Sequence, residues 1–345
     1  VQGEAPPSLY FPDVHFRFDL SLTDNPLGAS SRVVKVAIEQ DVAASYPPQG
    51  YPELRLELSR KMHVNPNNII LGAGIDGLLS AIATAFLRPG DEVVMPRTTF
   101  PKIAHFAHYR EARVSRIPMT ADLRLDFARL HQEIGPDTRI IYLCNPNNPT
   151  GLVECACAIA DYARCAPCLV IVDEANVEFC SETCIPHLSA LPNLLVLRTF
   201  SKAYGLASAR VGYAVGAEDI LDRIARSSPR FPISSLSAEM ARMALADEGH
   251  VQDTRALVRE QSAVLQGALR DRGFLVISAD TNCFVSRVPP SVPSAKDLLS
   301  FCNGRGVSFV TGEPFGLSPE WLRVAPRTYE TNRALVAAID AWLKS

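Results

Sequence analysis

Residues 92–95, 114–118, 139–143, 169–173, 194–199 and 211–215 form short, nearly continuous apolar runs. Such runs, bounded by glycine, proline or polar residues, predict strands buried on both faces. A seventh run, 69–71, leads into Gly72-Ala73-Gly74. After it Ile75, Leu78, Leu79, Ile82, Ala85 and Phe86 recur at helical spacing, and Pro89-Gly90 ends that helix. Residues 31–44 and 53–61 read as helices on either side of a loop at 46–52. Strands alternating with helices predict an α/β unit with a mostly parallel sheet, of seven-stranded type, and helices on both faces.

The pattern changes beyond about residue 230. Residues 234–248, 251–272, 294–303 and 328–344 read as helices, and 274–278, 283–287, 307–311 and 322–325 as strands. This is a small α+β unit. The first 30 residues are proline-rich and read as an irregular arm. The expected division is 1–40 for the arm and part of the small unit, 41–232 for the large unit and 233–345 for the small one.

Length and charge narrow the function. The chain has 345 residues, 47% of them hydrophobic, enough for a large core and a second unit. A net charge of −3 gives no basic field for nucleic acid. Each apolar run is too short for a bilayer, and Val1-Gln2-Gly3-Glu4 lacks the basic and apolar regions of a secretory signal. Cys165 and Cys168 have CxxC spacing, but no second pair accompanies them, so no metal site is expected. The nine cysteines read as reduced thiols, which places the chain in the cytoplasm.

Three segments carry the candidate chemistry. The run at 140–143 leads to Asn145-Pro146-Asn147-Asn148-Pro149-Thr150-Gly151. The run at 170–172 ends in Asp173-Glu174-Ala175. The run at 194–197 ends in Thr199-Phe200-Ser201-Lys202, with Arg210 beyond it. A lone lysine would read as a surface residue. Three polar segments in order, each at the carboxyl end of a buried strand, overturn that, because ligands of open α/β sheets bind at this edge. A partly desolvated Lys202 becomes a usable amine, and Arg210 can fork onto a phosphate. Gly74, Ile75 and Asp76 open a helix whose free N–H groups suit an anion.

These segments, with Ser201 to Ala207, Arg210 to Tyr213, Tyr46-Pro47, Gly72 to Asp76 and Arg323, resemble the fold-type I aminotransferases that use pyridoxal phosphate (PLP). The similarity is greatest to the histidinol-phosphate aminotransferase branch and spans essentially the whole chain. The resemblance implies the following roles. PLP acts as the electron sink. Lys202 is its Schiff-base lysine and the base that moves a proton from the substrate's α-carbon. Asp173 partners the pyridine nitrogen, and Asn148 reaches the phenolic oxygen. Thr199, Ser201, Arg210 and Gly74 to Asp76 hold the phosphate, and Phe100 stacks on the ring. Tyr46 reaches the phosphate of a neighbouring subunit, which implies a homodimer with shared sites. Arg323, with Arg327 nearby, binds the substrate's anionic tail, and Asn25 belongs to an arm over the site.

The chain departs from the family at several points. Asn176 stands where the branch has tyrosine, and the resemblance implies that this position, like Asn148, donates a hydrogen bond to the phenolic oxygen of PLP, here from an amide in place of a phenol. Thr98 replaces a proline, Ile75-Asp76-Gly77 replaces Ser-Asp-Glu, and Ala325-Pro326-Arg327 follows Arg323. These changes leave PLP binding intact and point to a specialised substrate. The expected activity is transfer of an amino group between an amino acid or amino-alcohol phosphate and a 2-oxo acid. The alternatives are a PLP decarboxylase of a phosphorylated amino acid and a PLP enzyme of cyclisation, elimination or oxidation. A non-catalytic binding protein is disfavoured because Lys202, Asp173 and Arg210 are all present.

Overall fold

The computed structural model describes residues 16–34, 45–290 and 294–344. Of the helix expected over 31–44, only Ser31–Val34 falls in the described residues; the remainder, and the first 15 residues of the arm, lie outside them.

The strands are, in chain order, β1 (Phe18–Asp19), β2 (Ile69–Ala73), β3 (Glu92–Pro96), β4 (Arg113–Ile117), β5 (Thr138–Cys144), β6 (Leu169–Asp173) and β7 (Leu194–Thr199). They continue with β8 (Val211–Gly216), β9 (Leu275–Val276), β10 (Phe284–Arg287), β11 (Val307–Ser308), β12 (Val310–Thr311) and β13 (Trp321–Val324). A seven-stranded sheet runs β2-β8-β7-β6-β5-β3-β4. All its pairs are parallel except those of β8, which is antiparallel to both neighbours.

Alternate residues of the central strands face two separate cores. Ile141, Leu143, Val170, Val172, Leu194 and Val196 enter one. Ile140, Tyr142, Leu169, Ile171, Leu195 and Leu197 enter the other. With apolar side chains needed on both faces, the runs could not alternate with polar residues, which is why they read as continuous. Because β3, β5, β6 and β7 are parallel, their carboxyl ends share one edge, and all three chemistry-bearing segments leave the sheet there.

A third core joins Leu20 to residues between Leu265 and Ile339, over a four-stranded sheet of order β12-β13-β10-β9. The helix Glu248–Arg270 connects this core to the first: it buries Val251 against the large sheet and Leu265 and Leu269 in the small unit. The helix Ser235–Leu245, expected in the small unit, instead buries Ala241, Ala244 and Leu245 in a core of the large sheet.

Two further differences have physical causes. Part of the arm is a strand, because β1 pairs in parallel with β11. Two residues are too few to show a period. The run at 307–311 divides at Phe309, with β11 pairing to β1 and β12 to β13. One apolar run therefore serves two sheets.

Candidate active site

β7 ends at Thr199, whose hydroxyl accepts from the Ser201 N–H at 3.1 Å and lies 2.9 Å from the Ser201 hydroxyl. This turn projects Lys202, whose Nζ donates to the Thr23 hydroxyl at 2.7 Å. Burial, reinforced by the nearby Arg323 guanidinium, lowers the Lys202 pKa to about 8. About a tenth of the amine is then neutral at pH 7, far more than for an ordinary lysine, which is the direction a nucleophile or base needs.

Asp173 closes β6 and is 2% exposed. Its Oδ2 accepts from the Tyr142 hydroxyl at 2.7 Å, and its Oδ1 from the Ala175 N–H at 3.0 Å. Burial pushes its pKa up to about 6, and these two hydrogen bonds hold it below what burial alone would give. A carboxylate this desolvated gains most from a cationic partner. The adjacent acid has a different task. Glu174 points to the other face and forms a 2.8 Å ion pair with Arg198, a structural bond within the large unit.

The loop after β5 is braced by its own asparagines. Asn145 exchanges hydrogen bonds with the Glu154 backbone at 2.8 and 3.0 Å. Asn147 donates to the Thr98 carbonyl and the Thr150 hydroxyl, each at 3.0 Å. Gly151 has φ +71°, and a Cβ there would lie 2.0 Å from the Cys283 carbonyl, so only glycine lets this turn meet the small unit. The braced loop presents Asn148.

At the opposite end, the helix Gly74–Phe86 begins with no side-chain cap. Arg210, itself at φ +54°, brings its guanidinium over this helix start, 3.7 Å from Asp76. A Cβ on Gly74 would lie 2.7 Å from that guanidinium. Uncapped N–H groups and a half-exposed arginine together form an anion cradle.

A cavity of about 420 Å³ joins these parts. Its walls include Ile75, Asp76, Phe100, Asn148, Asp173, Asn176, Thr199, Ser201, Lys202 and Arg210. Gly74 sits just behind, as the surface on which Arg210 rests. The cavity's volume and its lining, which holds a buried carboxylate, a buried amine and a guanidinium over an uncapped helix start, fit a cofactor of the size and charge of PLP.

Arg323, Arg327 and Asn25 do not line the cavity, and Tyr46, expected at a neighbouring subunit's site, lies outside the cavity of its own chain. Arg323 is fully buried and does not line the cavity; its guanidinium donates to the Ser21 carbonyl and, at 3.4 Å, to Asn148 Oδ1. Arg327, its alternative, is paired with Asp24. Asn25, expected to touch substrate, has its amide committed elsewhere. It donates to the Ala203 carbonyl at 2.8 Å and the Thr254 hydroxyl at 3.0 Å, and its oxygen accepts from the Leu27 N–H at 2.8 Å. It therefore clamps the arm onto the Lys202 loop rather than lining the cavity. Tyr46 is 82% exposed, stacked on Phe231 at 5.0 Å, and does not reach its own chain's cavity.

Four residues escaped the sequence reading. Thr23 and Asp24 line the cavity from the arm. Tyr142 supports Asp173, and Asn282 donates to Asn176 Oδ1 at 2.9 Å. Strand parity was a usable signal for Tyr142. In the parallel register Cys144 lies beside Asp173, so Tyr142, two residues back, shares its face. Asn282 carries no local pattern.

The chain matches the family model for aminotransferase class I and II over residues 18–339. It is 31% identical to the histidinol-phosphate aminotransferase of Caldicellulosiruptor saccharolyticus, covering 93% of this chain and 90% of the relative. It is 32% identical to that of Moorella thermoacetica, over 93% of this chain and 84% of the relative. Among solved structures, histidinol-phosphate aminotransferase from Sinorhizobium meliloti in complex with PLP superposes with a TM-score of 0.88 at 24% identity, over 95% of this chain and 92% of that one. A Thermus thermophilus aspartate aminotransferase double mutant gives 0.85 at 22% identity, over 96% and 92%.

Proposed function

The chain belongs to the aminotransferase class I and II family, and we propose that it is a PLP-dependent aminotransferase moving an amino group between an amino acid or amino-alcohol phosphate and a 2-oxo acid. The observation that carries this reading is the single cavity wall shared by Lys202, Asp173, Asn148 and Arg210. PLP, when bound, supplies the electron sink for charge developing at the substrate's α-carbon. Lys202 holds its Nζ proton loosely enough to give and take one at that carbon. Asp173, kept in place by Tyr142, favours a protonated ring nitrogen. Arg210 and the uncapped helix start hold the phosphate.

The test is a panel of amino donors added to the PLP-loaded protein. The reading predicts a stable aminated cofactor and a 2-oxo acid product. Release of CO₂ with the cofactor unchanged would overturn it in favour of the decarboxylase.

Arg323 is proposed to bind the substrate's carboxylate or phosphate, exchanging its contact with Asn148 for the anion. Arg323→Ala is expected to raise KM for both amino donor and oxo acid, and to lower kcat/KM by about 10²-fold or more. Arg323→Lys should rescue poorly, since an ammonium cannot make a planar fork. An unchanged KM for both substrates would pass the role to Arg327.

The proposed assembly is a homodimer in which Tyr46 reaches the partner's site. The support is an exposed aromatic, outside the lining of its own chain's cavity, on the loop at 46–52. Sedimentation at micromolar concentration should give a dimer, and Tyr46→Phe should weaken PLP binding. A fully active monomer would contradict this. The cytoplasmic location is part of the same proposal, supported by nine cysteines that are all free.

A further inference from the structure

Asn176 and Asn282 face each other across the junction of the two units. Both are buried, at 3% and 4% exposure. Asn176 lines the cavity, and Asn282, bonded to it, does not. Asn282 Nδ2 donates to Asn176 Oδ1 at 2.9 Å and lies 3.4 Å from the Thr23 carbonyl. A backbone carbonyl can only accept, so the nitrogen of Asn282 is the atom that faces both neighbours. Asn176 must then offer its oxygen to Asn282. Its own NH₂ is left for the cavity.

The segment carrying Asn282 is held firmly. The Thr281 hydroxyl donates to the Gly151 carbonyl at 3.0 Å, and the Cys283 carbonyl packs where a Cβ of Gly151 would be. The side-chain oxygen of Asn282 has no hydrogen-bond partner among the described residues. A buried, unsatisfied acceptor is costly, so this amide is kept for something other than its own satisfaction.

We propose that Asn282 is a positioning residue: it fixes the amide of Asn176 so that an N–H donor, and not an acceptor, faces the ring oxygen of the bound cofactor. This rests on the reading of the cavity as a PLP site. A donor at that oxygen favours its anionic form, and so lowers the pH at which the chromophore formed with Lys202 takes up a proton. An amide turned the other way would present a lone pair and raise that pH.

The test is spectroscopic. The visible band of the bound cofactor is titrated with pH in wild type, Asn282→Ala, Asn176→Ala and the double variant, alongside PLP affinity and thermal unfolding of the cofactor-free proteins. Asn282→Leu, which keeps the volume without the hydrogen bond, serves if Asn282→Ala does not fold. The charged and titratable groups facing Lys202 are Arg323 and Cys283 from the small unit, Asp24 from the arm and Asp173 from β6. None is altered.

The expected result is an upward shift of the titration midpoint by about 0.5–1 pH unit in Asn282→Ala. The same shift is expected in Asn176→Ala, with little added in the double variant, because one residue acts through the other. Two results would overturn the inference. One is a midpoint unchanged in Asn282→Ala. The other is a shift that persists in full on the Asn176→Ala background, which would route the effect through Thr23 and Lys202. The readout is colour rather than turnover. Failure of the aminotransferase reading would appear in the amino-donor panel, and failure of this inference in the titration.

Discussion

Lys202→Ala is expected to abolish the visible absorbance of the bound cofactor and to reduce turnover by about 10⁴-fold or more, the effect of losing both a nucleophile and a positioned base. The protein should remain folded. Among the described residues Lys202 makes one side-chain hydrogen bond, to Thr23, and its burial disfavours the charged form, so its ammonium costs the fold more than it contributes. Far-ultraviolet circular dichroism and thermal unfolding check the fold; absorbance and single-turnover assays check the chemistry. An added primary amine should restore part of the activity if only the base is missing. A variant that kept its visible band would show that another lysine serves.

Asp173→Asn should separate stability from function. In the cofactor-free protein the folded pKa of Asp173, about 6, lies above its ordinary value of 3.8. The folded state therefore binds the proton more tightly than the unfolded state. The stability that goes with this is complete below the ordinary value and is lost as pH rises through about 6. At neutral pH the ionised group costs the cofactor-free fold about 3 kcal/mol. Asp173→Asn should therefore stabilise the cofactor-free protein at pH 7–8, by up to that amount less the mismatch of an amide against the Ala175 N–H and the Tyr142 hydroxyl. The gain should shrink below about pH 5. Activity should fall by about 10²–10³-fold, because a cationic ring nitrogen loses its desolvated partner. Urea titrations of the cofactor-free proteins at pH 5 and 8, with kcat/KM measured in parallel, test both halves. Lower stability of Asp173→Asn at both pH values would contradict the account.

The legibility of the chain follows from which interactions are local. β6 and β7 have the bounds their apolar runs predict, because a strand covered on both faces needs an unbroken apolar run. The candidate site residues that follow those strands come together because β5, β6 and β7 are parallel and send their carboxyl ends to one edge. β1 was not readable, since its two residues are set by pairing with β11, nearly 300 positions away. The placement of Asn25 shows a second limit. Its motif marked the right segment, but only the fold determines that the amide clamps Ala203 and Thr254 instead of facing the cavity. Arg323 was a candidate by its place in the chain, yet its cover by Ser21 and Asn148 is a contact between distant segments. Asn282 shows the same limit most fully: its neighbours Thr23 and Asn176 come from the arm and the large unit, and nothing beside it in sequence announces them.

The central claim is that Lys202 is the residue to which PLP becomes bonded in this cavity. Borohydride reduction of the PLP-loaded protein, followed by peptide mapping, tests it most directly. The account predicts one reduced phosphopyridoxyl group per chain, on Lys202, absent after preincubation with an amino donor that converts the cofactor to its aminated form. A label on a different lysine, or no stable label on a protein that has taken up PLP, would contradict it.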